Sequence, residues 1–420
     1  MGPSVTHLKK GMQNRILTKI DMNLKKTLLY AIFFLSGFAR LDYTKVAGIQ
    51  LFVIFSIFLI GICAFSSGKK AYIRDKSIDC YHKFLLWSFP ALCIGVYFDN
   101  LDAIYFYLYT CISFLLVRYT SCIKYNFTKA LYLLEISLLC AIGLGWLIYL
   151  SILPYDFLYA EVLESEFNLG YWGISYLTSS RNHDYMYPLT CASISLFLFK
   201  KTINKFPKYV QLLIFLICEV TLLASLSRGG MLISLLFMYF FIKGLSKREK
   251  QFSFIMIGAI IAFFFNEIVN QIETIFENIF LSIFGIAKEA HTGTEFSNND
   301  RKYIYWNAIN HIVINPFGYG IQNYRIITDY GGGSAENAYL TVLVERGWLA
   351  GVFFIKFLYY KWIAVWRSES REKSLNFYLL PTIIVYFLFN YEFTAFMCII
   401  IFYLIMASDY YVNNSNCNRS

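Results

Sequence analysis

Apolar runs of bilayer length decide what this chain can become. Residues 49–65, 130–154 and 395–408 are almost wholly apolar, and a membrane core asks for roughly 20 residues of helix. In lipid each backbone N–H and C=O must find its partner within its own element, so these runs are expected to be helices. A transmembrane β-barrel would alternate apolar and polar residues in shorter segments, and these runs do not alternate. With 58% hydrophobic and 15% charged residues, the chain has too few charges to cover a water-soluble globule. The sequence therefore predicts an all-α, polytopic membrane bundle.

The pattern gives about 12 spans: 27–39, 46–65, 84–98, 101–117, 130–153, 187–199, 209–226, 229–242, 252–267, 337–360, 375–389 and 394–408. The tight connection at Asn100 suits a helical hairpin. Lys9, Lys10, Arg15, Lys19, Lys25 and Lys26 precede the first span with no small-residue cleavage site after it, so a retained helix is expected. If residues 1–26 are cytoplasmic, alternate connections fall on the same side and collect 28 of the 37 Lys and Arg. That bias is the positive-inside pattern. It predicts a single transmembrane domain over 27–408, outer loops at 155–187 and 268–336, and a second cytoplasmic tail at 409–420. The net charge of +10 then reads as topology and contact with anionic membrane lipids, not as nucleic-acid binding. None of the ten cysteines lies in the large outer loops, so no disulfide is expected.

The two outer loops carry the unusual chemistry. The first opens with Asp156, Glu161, Glu164, Glu166, Tyr171 and Trp172 and closes on Arg181, Asn182, His183 and Asp184. The second begins with Ile268, Ile272, Ile275, Phe276, Ile279, Phe280 and Ile283, whose three- and four-residue steps predict an amphipathic helix along the membrane surface. A further helix is expected from Arg301 to about Ile314, capped by Asp300 and ended by Asn315-Pro316. Gly318, Gly320 and the run Gly331-Gly332-Gly333-Ser334 follow, before a last helix starts near Ala335. Loops this long are usually functional. No phosphate-binding glycine loop, dinucleotide fingerprint, Asp-x-Asp or Cys/His cluster is present, which disfavours nucleotide-driven pumps and nucleotide-sugar transferases.

Three segments resemble the bacterial O-antigen polymerase and ligase superfamily. They are Ser225-Leu226-Ser227-Arg228-Gly229-Gly230; Arg301 to Trp306 with Asn315-Pro316-Phe317-Gly318-Tyr319-Gly320; and Glu336-Asn337-Ala338-Tyr339-Leu340 with Glu345-Arg346-Gly347 and Gly351. Where the ligases open the third motif with His-Asn, this chain has Glu336-Asn337, a departure that looks more like the polymerases. The resemblance implies a metal-independent membrane glycosyltransferase of the C type, without cofactor, in the bacterial inner membrane. Its donor would be a polysaccharide on undecaprenyl diphosphate and its acceptor a lipid-linked repeat unit, with a chain-length regulator and a flippase as pathway partners. The alternatives are a ligase acting on lipid A-core, a protein O-oligosaccharyltransferase and, from another class, a lipid-linked oligosaccharide flippase. The flippase reading lacks an internal repeat in its favour.

For such a reaction Arg228 and Arg301 would hold the departing diphosphate, because guanidinium is always charged and grips two oxygens at once. Each also has a plainer reading: Arg228 could snorkel to headgroups, and Arg301 could pair with Asp300 or Glu295. Glu336 would accept the acceptor hydroxyl's proton, or could simply favour a helix N-terminus. Arg181, His183, Asn337, Tyr339 and Arg325 are the expected substrate contacts, and His183 is the reserve base. Asn337 and Glu345 are more readily read as structural. Glu219, an ionisable residue inside a span, is expected to be hydrogen-bonded within the bundle.

Overall fold

The computed structural model describes residues 5–39, 45–46, 49–66, 75–121, 123–150, 152–153, 185–224, 228–243, 251, 258, 305–323, 337–368, 371–390 and 396–417. Their long elements are α1 (Val5–Ser36), α2 (Leu51–Ser66), α3 (Lys76–Tyr97), α4 (Asp102–Thr120), α5 (Phe127–Tyr149), α6 (Met186–Lys201), α7 (Lys205–Ala224), α8 (Arg228–Lys243), α9 (Ala338–Arg367), α10 (Asn376–Phe389) and α11 (Phe396–Cys417). Residues 305–314 are also helical. Eleven of the expected spans coincide with these helices, while 252–267 lies outside the described residues but for Gly258. Several ends differ from expectation: α3 starts at Lys76 and α9 runs on to Arg367, and three further differences change the reading. α1 begins at Val5, so helix extends back through the basic N-terminal segment. Lys45–Val46 and Ile49–Gln50 form a small antiparallel pair, so α2 starts only at Leu51. α11 runs on to Cys417.

Four described helices are long and apolar enough to cross a bilayer: Asp102–Thr120, Phe127–Ile148, Lys205–Ala224 and Ala338–Arg367. Shorter apolar helices lie at Leu51–Phe65, Gly229–Lys243, Asn376–Phe389 and Met397–Tyr410. Among lipid tails apolar burial gives no net drive, so close packing and hydrogen bonds must hold the helices together. α3 lies along α9 as the most extensive pairing, α6 packs on α7, and α1 on α2 and α5. Gly37 lets α1 approach α5 until only a hydrogen fits beside the Ser137 hydroxyl. Tyr81, Phe84, Phe354, Phe357, Phe387 and Phe402 interlock edge-on or tilted between α3, α9, α10 and α11. Buried hydroxyls are quenched within their own helices, as in Ser56 to the Phe52 carbonyl and Ser88 to the Phe84 carbonyl.

Helix ends segregate into two sets. At one end Lys361, 3% exposed, donates to Asp75 Oδ2 at 2.7 Å and to the Met406 carbonyl at 3.3 Å. Asp75 also caps α3 through the Ser77 N–H and hydroxyl. Burial opposes ionisation of Asp75, but the Lys361 ammonium and the Ser77 donors outweigh it and hold the carboxyl below its ordinary value. Asp409 accepts from Ser374 and Asn376 beside them, tying α10 to α11. The opposite end gathers the ends of α3 and α10 and the starts of α6, α8 and α9.

Candidate functional site

At this second end the sequence motifs meet. α9 opens on Asn337, whose Oδ1 accepts from the Tyr339 and Leu340 N–H groups. Its Nδ2 reaches across to the Leu388 carbonyl on α10 at 3.2 Å. The next residue of α10, Phe389, packs with its Cβ 3.1 Å from where a Cβ on Gly229 would stand. Gly229 also sits against the Tyr185 hydroxyl, closely enough that no side chain fits there. Tyr185 begins α6 and accepts a short hydrogen bond from Asn390 Nδ2, and Asn390 closes α10. Tyr185 stacks edge-on against Tyr386, with centroids 5.1 Å apart. Tyr339 braces α9 to α10 through its hydroxyl and the Ile384 carbonyl at 3.2 Å.

One cluster at the end of α10 thus anchors three segments that are remote in sequence. The candidates flank these anchors. Arg228 precedes Gly229 and is the first residue of α8, described in its backbone alone. Glu336 precedes Asn337, and Arg181 and His183 precede Tyr185; these three lie outside the described residues, as do Arg301 and Arg325. Asn337 spends Oδ1 and one Nδ2 proton on capping and on the α10 bridge, so only its second Nδ2 proton is left for a substrate. Tyr339 is half-buried among Phe354 and Phe387.

The second motif joins the third one step deeper. α9 is broken at Gly347, whose φ of 82° and ψ of 158° no helix contains. A break strands carbonyls that would otherwise stay within the helix. Residues 315–323 satisfy two of them: Tyr319 N–H donates to the Val344 carbonyl at 3.0 Å and Gly320 N–H to the Glu345 carbonyl at 3.1 Å. The same loop reaches the α3–α4 hairpin through Ile321 N–H to the Ala91 carbonyl at 3.2 Å and Asn323 Oδ1 from Asn100 Nδ2 at 3.1 Å. Gly318 and Gly320 have φ of 78° and 102°, values that L side chains rarely adopt. Asn315 starts the turn by accepting from Phe317 N–H and donating to the Gly318 carbonyl. Glu345, which the sequence favoured as structural, takes the Gln322 N–H with its carboxylate. Arg346 is fully buried, with Nη1 3.4 Å from Thr110 Oγ1 and its guanidinium 5.4 Å from the Phe84 ring centre. Helix 305–314 lays Ala308 on Val344, with Tyr305, Ile312 and Leu340 around them, and His311 Nδ1 meets the Tyr319 hydroxyl at 3.0 Å.

Sequence reading missed Tyr185 and Asn390, and the weight carried by Gly347. The available signals were an asparagine ending an apolar helix and a glycine inside one. Glu219 is hydrogen-bonded as expected, with Ser234 Oγ 2.5 Å from its Oε2. Among the described residues no three His, Cys, Asp or Glu side chains come together to hold a metal ion.

Against known proteins, residues 212–355 match the family model described as O-antigen ligase. The match runs from α7 to the middle of α9, and so takes in all three motifs. A comparison with curated proteins finds no match. The motif order, the meeting of the described motif residues at one end of a helical bundle and the family match agree, and together they support membership of this helical membrane protein in the O-antigen polymerase and ligase superfamily.

Proposed function

We propose that the protein is an O-antigen polymerase, joining undecaprenyl-diphosphate-linked oligosaccharide repeats at the periplasmic face of the inner membrane, with both termini cytoplasmic. The observation that carries this reading is the clustering of Asn337, Gly229 and Tyr185 on the last residues of α10. It roots the segments bearing Glu336, Arg228 and the Arg181–His183 pair at one place. α8 ends at the Lys361 end of the bundle, where Phe240 meets Phe377 and Tyr378, and α9 begins at the other.

In this reading the acceptor sugar hydroxyl attacks the anomeric carbon of the donor polymer. The bond from that carbon to the diphosphate oxygen breaks, undecaprenyl diphosphate departs, and the hydroxyl proton passes to the Glu336 carboxylate. Arg228 and Arg301 stabilise the charge that develops on the leaving diphosphate, a fixed electrostatic contribution of the kind that dominates many enzyme rates. Arg181, His183, Asn337, Tyr339 and Arg325 orient the glycan. The partners are the lipid-linked substrates, membrane lipids, and the chain-length regulator and flippase of the same assembly route.

The matched family description is that of a ligase, which keeps transfer to lipid A-core as the second reading. Glu336 in the place of the ligase His favours the polymerase. The lipopolysaccharide of a deletion strain separates the two: loss of a polymerase leaves core plus one repeat, and loss of a ligase leaves bare core. Purified protein that elongates lipid-linked repeats without an ion gradient would exclude the flippase.

A further inference from the structure

The membrane interior of the bundle holds a carboxyl group that the proposed chemistry does not use. Glu135, two turns inside α5, is 1% exposed, and Gln211, near the start of α7, is 3% exposed. Gln211 Nε2 donates to Glu135 Oε2 at 2.9 Å. The Gln211 backbone carbonyl in turn accepts from Ser195 Oγ of α6 at 2.6 Å, so three helices meet here. Two oxygens at this contact have no hydrogen-bond partner, and they are the remaining oxygens of the same pair: Glu135 Oε1 and Gln211 Oε1.

We propose that Glu135 is a proton-binding site inside the membrane, held as a carboxylic acid in a doubly hydrogen-bonded clasp with the Gln211 amide. A carboxyl and a primary amide are planar groups of matching size. The amide N–H already serves one carboxyl oxygen. One proton on Oε1 turns the other into a donor for Gln211 Oε1, so that a single proton satisfies both orphan acceptors. The ionised alternative leaves two acceptors without donors and a buried negative charge, and among the described residues no ion pair to Glu135 offsets it. Leaving buried polar groups unpaired is costly, and an uncompensated charge in lipid costs more. The clasp fastens α5 to α7, the helix whose far end leads into Arg228. It explains a membrane carboxyl without an ion path, and it stands independently of the reaction proposed above.

The test uses the full chain in detergent and reads protonation directly. The infrared difference between wild type and E135Q at neutral pH should contain a carboxylic-acid C=O band, not a carboxylate pair. In E135Q two amides face each other and both hydrogen bonds survive, so the unfolding midpoint should stay within about 1 °C of wild type. E135L and Q211L each strand the partner and should lower it by about 3 °C or more. The double variant E135L/Q211L, with nothing left to strand, should recover most of the loss. A carboxylate signature in the difference spectrum, or E135Q falling as far as E135L, would overturn the clasp and point to a charged intramembrane site. Additive losses in the double variant would show that the two side chains do not act as a pair.

Discussion

Replacing Gly347 by alanine tests whether the break in α9 is required by the loop packed into it. At φ 82° and ψ 158° the backbone lies in a region that is essentially glycine's alone, where another residue costs about 1–3 kcal/mol. The new Cβ would also overlap the Pro316 carbonyl oxygen and stand 2.5 Å from the Phe317 carbonyl carbon and 2.7 Å from the Gly318 nitrogen. All three are backbone atoms, so no rotamer change relieves the clash. If the loop withdraws, the hydrogen bonds from Tyr319 to Val344 and from Gly320 to Glu345 are lost, at about 0.5–1.5 kcal/mol each. The total, about 2–6 kcal/mol, is a large part of the 5–15 kcal/mol that typically holds a protein folded. Alanine further favours a continuous helix, which would recapture the stranded carbonyls and expel the loop. G347A should therefore unfold about 5 °C or more below wild type and make little polymer. G351A is the internal control, since the close contacts of its Cβ are with the Leu343 side chain, which can move, and the nearest backbone atom stands at an ordinary 3.7 Å; it should cost less than about 1 kcal/mol. Equal midpoints and equal chain-length ladders for wild type and G347A would show that the break does not organise the motifs.

Arg228→Ala and Arg301→Ala should each abolish polymerisation without loss of membrane protein, with Lys rescuing only in part because it lacks the two-pronged grip; full activity in both Ala variants would reduce them to headgroup anchors. Glu336→Gln, close in shape but unable to take a proton, should slow chain growth about a hundredfold while lipid-linked substrate still binds, and normal chains would move the base to His183. Reporter fusions after Lys247 or Lys373 should read cytoplasmic and those after Glu295 or Gln322 periplasmic; a cytoplasmic signal from the second loop would invert the topology. Asp75, held below its ordinary value with Lys361 as partner, stabilises the fold wherever it is ionised. The midpoint difference between wild type and D75N should therefore persist as pH falls to the ordinary aspartate value and vanish only below it, whereas a difference already closing near neutral pH would refute the ion pair's role.

What was legible in the sequence follows from how locally each feature is encoded. Apolar runs announce spans one at a time, so the helices recur where hydrophobicity put them. Their ends do not, because helix continues through polar residues once it has begun: α1 reaches back to Val5 through a basic segment without proline. The start of α9 was expected near Ala335, within two residues of its Asn337 cap. The pocket for residues 315–323 was not, since its acceptors Val344, Glu345 and Ala91 belong to α9 and α3. Nor could any local pattern disclose that Tyr185 would meet Asn390, 205 residues further on. The Glu135–Gln211 contact is hidden in the same way: each residue alone is a polar intrusion in an apolar run, and only the packing of α5 on α7 makes them complementary.

The arrangement of anchors and candidates suits a reaction on lipid-borne polymer. Gly229 and Asn337 each hold a fixed position against α10, and Arg228 and Glu336 stand one peptide beyond them, about 3.8 Å along the chain. The two anchors touch consecutive residues, Phe389 and Leu388. In the proposed reaction the cation for the diphosphate, Arg228, and the base for the hydroxyl, Glu336, would each adjoin an anchor on this buried frame. Rigidity at the root limits how far each group strays, and misplacement by even 1 Å can cost about a hundredfold in rate. Substitutions in the frame, such as Tyr185→Phe or Asn390→Leu, should therefore act on turnover through the position of Arg228 and Glu336 without touching substrate. Their signature would be a fall in kcat that outruns any loss of lipid-linked substrate binding.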